Sequence, residues 1–167
     1  MTTQNPFSET DSDRRYIWDM LVSRDIKAFL NSDWSMVEDD FIYENFIGID
    51  GCRSDNPDDW KFKFPDVESY KTEWLRQAQS FKENEWAEDA EQAFFRVTEL
   101  RDIEINNGSA LVHKKFSGEI KRTDGQSIPF QWRTLYYCRK VNDVWKIAGF
   151  NGYLPYTKEG NNASSSQ

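Results

Sequence analysis

Asp25 stands where an apolar residue belongs. Ile17, Trp18, Leu21, Val22, Ile26, Phe29 and Leu30 recur at helical spacing, and this carboxylate falls inside their stripe. Burying an unpaired charge there would cost about 3–5 kcal/mol or more, so Asp25 must either pair with a cation or open into a cavity. In a cavity, desolvation would raise its proton affinity toward working pH and suit it to general-base or ligand-anchoring work. In a packed core it would be half of an ion pair with Arg101 or Lys114. Tyr136 and Asn151 add a phenol and an amide, which either hold a substrate oxygen or are satisfied polar groups of the core. The chain has one histidine, His113, and two cysteines, Cys52 and Cys138, without CxxC spacing. No zinc constellation, GxSxG, glycine-rich phosphate loop or HExxH is present, so no metal or cofactor is expected.

The elements that must position these groups are legible from periodicity. Thr10 and Asp13 have capping-box form, and the first helix is predicted over about 11–30. A short second helix is expected near Trp34–Asp39, followed by a strand-like stretch from Phe41 to Gly48 and a polar loop from Asp50 to Pro65. That loop is either a lid with Trp60 as its latch or a packed connection. Pro65-Asp66 opens a third helix with the stripe Val67, Tyr70, Trp74, Ala78 and Phe81, while 83–92 is ambiguous and could extend it. From Ala93 the period becomes two, and Asn107-Gly108, Asp124-Gly125 and Val141-Asn142 mark three hairpin turns. Segments of about thirteen residues must bend, helped by Gly118 and Pro129. The expected class is α+β: three N-terminal helices packed in the concave face of a strongly bent antiparallel sheet, a cone or half-barrel.

Turn pairing predicts which residues share a face. A two-residue loop at Asn107-Gly108 sets Ile105 against Ala110, Ile103 against Val112 and Arg101 against Lys114. A three-residue loop at 124–126 sets Lys114 against Tyr136 and Gly118 against Trp132. A loop at Val141-Asn142 sets Cys138 against Trp145 and Trp132 against Asn151. One face then carries Arg101, Ile103, Val112, Lys114, Phe116, Phe130, Trp132, Thr134, Tyr136 and Asn151, and it is assigned to the helices. Arg101 and Lys114 as neighbours would repel unless an anion lies between them: Asp25, Glu99 or a carboxylate ligand. The alternative is a sheet open to water at that end. His113 falls on the outer face with Leu111, Leu135 and Tyr137, a surface apolar enough to seek a partner. The adjacent carboxylates Asp39-Asp40 and Asp58-Asp59 read as solvated charge.

Composition bounds the rest. The 167 residues make one domain, and 26 aromatics (7 Trp, 7 Tyr, 12 Phe) exclude a disordered chain. Domain limits are expected at 11–157, with frayed ends at 1–10 and 158–167. The net charge of -8 argues against nucleic acid, which needs clustered cations. No run approaches the ~20 apolar residues of a membrane span, the start is too polar for a signal peptide, and lone thiols suit a reducing cytoplasm.

The order of these elements carries a resemblance. A long first helix ending before Asn31-Ser32-Asp33-Trp34, a short helix, Asp39-Asp40-Phe41-Ile42-Tyr43-Glu44-Asn45-Phe46, a third helix, and a meander ending Val144-Trp145-Lys146-Ile147-Ala148-Gly149-Phe150 resemble the nuclear transport factor 2-like superfamily, especially its SnoaL-like bacterial members. The likeness spans about residues 12–156. It implies a cystatin-like cone, dimerisation through the outer sheet face, and a cavity between the first helix and the sheet. It leaves function open among isomerase, cyclase, hydrolase, dehydratase and non-catalytic roles. The ketosteroid isomerase pattern would put its base at Asn45, which cannot take a proton. Limonene epoxide hydrolases carry a Tyr-x-Asn that Tyr43-Glu44-Asn45 reproduces, but their Asp-Arg-Asp set would fall on Leu100, Asp102 and Gly152. The expected site therefore has Asp25, Tyr136 and Asn151 as catalytic candidates. Trp18, Val22, Tyr43, Asn45, Trp74, Arg101, Lys114, Phe116, Trp132 and Thr134 would surround a small hydrophobic, oxygen-bearing ligand. The expected protein is a homodimer that is either a cofactor-free isomerase, cyclase or dehydratase, or a non-catalytic binding or assembly module.

Overall fold

A computed structural model describes residues 4–158; of the ends expected to fray at 1–10 and 158–167, residues 1–3 and 159–167 lie outside the described residues. The first helix runs over 12–30, as α1 (Ser12–Trp18), a π-helical segment (Asp19–Arg24) and α2 (Asp25–Leu30). Its cap is Asp11, whose carboxylate accepts the Arg14 amide, rather than Thr10. The described part of the leading segment is tied to this helix: Asn5 donates to the Arg15 carbonyl at 2.9 Å and Arg15 to the Phe7 carbonyl at 2.7 Å. Where a short second helix was expected there are two 3-10 turns, Trp34–Met36 and Glu38–Asp40. Helix α3 (Val67–Lys82) starts from Asp66, which caps the Ser69 amide at 2.7 Å. The ambiguous 83–92 does not extend α3. Asp89 caps a separate helix, α4 (Ala90–Val97), so the strand pattern begins at Thr98 rather than at Ala93. Here the buried Ala93, Phe94 and Val97 satisfy a helical stripe as well as an alternating one.

Among the described residues six strands form one curved, unclosed sheet: β1 (Ile47–Asp50), β2 (Lys61–Phe64), β3 (Thr98–Asn106), β4 (Ser109–Lys121), β5 (Ser127–Val141) and β6 (Val144–Leu154), in the order β2-β1-β6-β5-β4-β3. The four long strands are the expected antiparallel meander, but β1 joins β6 in parallel, so the sheet is mixed. Of the strand expected over 41–48, only Ile47 and Gly48 enter a strand, and Phe41 makes an isolated bridge to Ile147. The loop 50–65 contains β2, paired with β1, and Trp60 donates to the Ser54 carbonyl within the same loop.

The hairpins decide the faces. Asn106 pairs with Ser109 as expected, and Ile103 with Val112. The second loop closes at 123–125, since the Arg122 amide donates to the Gln126 carbonyl, so the β4–β5 register is two residues from expectation. Lys114 faces Thr134 and Phe116 faces Trp132. A slip of two preserves side-chain parity, so the same residues point inward. The third turn is Asn142-Asp143, both at positive φ (51° and 65°), as a twisted two-residue hairpin demands.

Register shifts in the β3–β4 and β5–β6 ladders do change faces. The β3–β4 register shifts between Leu100 and Asp102, so Leu100 opposes Lys114 and Arg101 is left out of the pairing, exposed. The β5–β6 register shifts between Tyr137 and Cys138: Cys138 faces Ile147, but Tyr137 faces Gly149 and Leu135 faces Asn151. A bulge adds one residue and inverts parity beyond it, which puts Phe150 inward and Asn151 with the outer-face Leu135. The concave face meets the first helix, α3 and α4 around an aromatic core in which Trp34 stacks on Phe41 (5.2 Å) and Phe46, Tyr70 and Phe150 cluster. Each such ring, fully buried, contributes about 1.5–3 kcal/mol.

Candidate functional site

The helices do not fill the cone. A cavity of about 300 Å³ lies between Phe29 of α2, one face of α3, Phe94 of α4 and the inner faces of β4, β5 and β6. Aromatic rings make most of its wall: Phe116, Phe130 and Trp132 pack in series, with centroids 4.5 Å apart for Phe116–Trp132 and 5.2 Å for Phe130–Trp132. Arg76, Gln77, Ser80 and Asn84 of α3 and the turn after it supply polar lining, with Arg76 and Ser80 exposed.

Asp25 and Lys114 share this cavity. The Lys114 ammonium is 3.0 Å from Asp25 Oδ2 and also donates to the Leu21 carbonyl. The Trp74 indole N–H donates to Asp25 Oδ1 at 3.3 Å. Lys114 is the more buried partner, its side chain 1% exposed against 29% for Asp25. The π-helical segment contributes here. A wider turn loosens the regular ladder of helix carbonyls, and the one at Leu21, within that segment, accepts from the Lys114 ammonium. The pair therefore has the structural form that Asp25's position in an apolar stripe allowed, with Lys114 and not Arg101 as the cation. It nevertheless borders a cavity rather than a filled core.

Tyr136 also lines the cavity. Burial, then the nearby Asp25 charge, hold its phenol well above the ordinary tyrosine range, with a hydrogen bond to Tyr70 acting the other way. Tyr70 is held high by the same burial, so both phenols stay protonated and can donate. Tyr153 joins from β6 with φ of 53°, and its hydroxyl meets Gln77 Nε2 at 2.6 Å. Gln77 also donates to Glu73, whose carboxyl, paired first with the Arg76 guanidinium, is lowered to about 2.

Of the residues singled out from sequence, Asp25, Trp74, Lys114, Phe116, Trp132, Thr134 and Tyr136 are brought together. The others are not part of this cavity wall. Asn151 sits on the outer face and Arg101 in solvent, both through bulges that turn pairing alone does not reveal. Trp18 and Val22 point from the first helix into packed core, Trp18 stacking on Phe95. Tyr43 is exposed and donates to the Glu38 carbonyl, and Asn45 is an exposed turn residue with φ of 57°; both precede β1, away from the concave face. Asp40, read as solvated, is buried and held by Arg24 through two bonds of 2.8 and 2.9 Å; burial raises its carboxyl. Tyr70 was legible as part of the α3 stripe. Gln77 and Tyr153 carried no signal, because a polar helix residue and a strand-end tyrosine reach a cavity only through packing. His113 is half-buried, between the inward Val112 and Lys114. Among the described residues no group of three or more His, Cys, Asp or Glu could hold a metal ion. No helix among them is long and apolar enough to cross a membrane.

No protein-family model and no curated protein matches the chain. Solved structures do match it. An NTF2-like protein of unknown function from Pseudomonas putida superposes with a TM-score of 0.56 at 14% identity, covering 90% of each chain. A nuclear transport factor 2 (NTF2-like) superfamily protein from Salmonella enterica gives 0.56 at 13%, covering 89% of this chain and 95% of that one. A domain of unknown function with a cystatin-like fold from Nostoc punctiforme gives 0.57 at 10%, covering 96% and 86%. The chain thus has the NTF2-like, cystatin-like cone fold, and at these identities the likeness is one of fold.

Proposed function

From this NTF2-like fold and the groups in its cone, we propose that the protein binds a small, flat, hydrophobic ligand bearing an oxygen function. The observation that carries the reading is the composition of the cavity wall: aromatic rings around a polar locus of the Asp25–Lys114 pair, the Trp74 indole and the Tyr136 phenol, beside the polar lining that α3 supplies. Such a wall removes a ring system from water, and the few donors orient its oxygen. Titration of intrinsic tryptophan fluorescence with a naphthol and with naphthalene tests it. Both should quench saturably, the naphthol more tightly. Tyr136→Phe should erase part of that difference, about 1 kcal/mol for one hydrogen bond. Absence of saturable quenching by either would overturn the proposal.

A second reading is cofactor-free proton transfer within the same cavity. It is favoured by the Asp25 side chain remaining 29% exposed while its partner is enclosed. Asp25 would take a proton α to a ligand carbonyl while Lys114 and Tyr136 hold the enolate-like oxygen. Deuterium uptake from solvent into a bound ketone, followed by NMR, measures it. Undiminished uptake in a folded Asp25→Asn variant would exclude Asp25 as the base.

The outer sheet face supports a homodimer. Leu111, Leu135 and the 41%-exposed Tyr137 form an apolar strip across β4 and β5. A monomer mass by sedimentation at micromolar concentration would refute that assembly. A cytoplasmic setting is the location that suits two free thiols, Cys52 exposed and Cys138 buried. Burial pushes Cys138 up to about 12, which leaves it inert.

A further inference from the structure

Lys114 is a buried primary amine with no surface role. Its side chain is 1% exposed, it borders the aromatic cavity, and among the described residues it has two hydrogen-bond acceptors, the Leu21 carbonyl and Asp25. An ammonium has three N–H groups, so one direction has no hydrogen-bond acceptor among the described residues. The aromatic wall begins beside the amine, with the Phe116 ring centroid 5.4 Å from Nζ. The Asp25 carboxylate, 3.0 Å from Nζ, is placed to accept a proton from the amine as a carbonyl group approaches, which leaves the net charge of the pair unchanged.

We propose that Lys114 captures aldehydes or ketones reversibly as an imine, which makes carbonyl compounds with a flat hydrophobic body the ligand class of the cavity. The proposal rests on the ligand-binding reading above. In the forward step Lys114 passes a proton to Asp25. The Nζ lone pair then attacks the carbonyl carbon, the C=O π electrons move to oxygen, and a proton passes from nitrogen to that oxygen to give a carbinolamine. Asp25 returns its proton to the hydroxyl, the C–O bond breaks, and water leaves. The product is a protonated imine facing the Asp25 carboxylate, which takes over the role of the original ion pair. No oxidant or reductant is consumed. Tyr136, kept as a phenol by burial, is placed to donate to the carbonyl oxygen during attack.

The test uses the full chain with naphthaldehyde and sodium cyanoborohydride, which reduces the imine and makes the capture permanent. The expected result is one dominant adduct, heavier by the aldehyde less one oxygen atom, mapped to Lys114 by peptide mass spectrometry and suppressed by naphthylmethanol as a non-reactive competitor. Lys114→Arg keeps the charge and removes the amine; Asp25→Asn with Lys114→Met removes the pair together. In whichever of these retains the native circular dichroism, incorporation should fall roughly tenfold or more. Labelling spread over surface lysines with none at Lys114, or unchanged incorporation in the folded variants, would overturn the imine. If naphthylmethanol quenches tryptophan fluorescence saturably while Lys114 stays unlabelled, imine capture fails and the binding site stands. If neither compound engages the protein, both readings fail.

Discussion

The Asp25–Lys114 pair makes an asymmetric prediction about stability. Removing Asp25 by Asp25→Asn leaves an ammonium that is 1% exposed with the Leu21 carbonyl as its remaining acceptor, so it should cost the full ~3–5 kcal/mol expected for stranding a buried charge. Removing Lys114 by Lys114→Met strands the better-hydrated partner. Asp25 is 29% exposed and retains the Trp74 indole N–H, so the charge itself is partly relieved. What that variant loses is chiefly a satisfied carbonyl at Leu21, about 1–3 kcal/mol. The double variant should cost less than Asp25→Asn alone, because the stranded ion is gone. Urea unfolding followed by tryptophan fluorescence, with m-values compared to confirm an unchanged unfolding reaction, measures all three. If Lys114→Met proves costlier than Asp25→Asn, or if the two single costs simply add in the double variant, the assignment of Lys114 as the desolvated member is wrong.

Three further outcomes follow from the geometry. Glu73 is held low, near 2, by Arg76 and Gln77, so it contributes stability above its unfolded value of about 4.5 that is lost as pH falls from there toward 2; Glu73→Gln should flatten that part of the stability–pH curve by no more than about 1 kcal/mol, since Arg76 is largely exposed. Gly149→Ala would place a methyl group on the Ile47 carbonyl oxygen, where β1 enters the sheet in parallel, and should cost about 2 kcal/mol or more, with hydrogen exchange quickening first in β1 and β2. Arg101→Ala and Asn151→Ala should leave naphthol affinity unchanged, because the bulges carry both residues off the concave face; a loss above roughly threefold would mean that the strands pair differently in solution.

Several parts of this molecule are written locally. The stripe from Ile17 to Leu30, the stripe of α3 and the Asn107-Gly108 turn each depend on neighbours within one helix turn or one hairpin, and each was legible. The inward parity of Lys114, Phe116, Trp132, Thr134 and Tyr136 survived a register misplaced by two residues, because the alternation of a strand has period two and an even slip leaves it intact. The anomaly at Asp25 was legible for a different reason: a charge inside an apolar stripe is improbable without a partner or a cavity. The helix α4 (Ala90–Val97) was not, since so short a buried run fits either period.

The sequence by itself thus determined an α+β order of elements, an aromatic interior and the set of polar residues forced toward it. Only the tertiary structure decided which of those residues meet. The bulges at Arg101 and beyond Ile147 accommodate a sheet bent around the helices, a constraint spread over several strands, and each one exchanges which side chains face inward. The choice of Lys114 over Arg101 as Asp25's partner and the loss of Asn151 follow from those bulges, and the arrival of Gln77 and Tyr153 at the cavity follows from how α3 packs on the sheet. Whether the cone is packed solid or holds about 300 Å³ of free volume depends on how closely the first helix, α3 and α4 approach the sheet, and no local pattern encodes that distance.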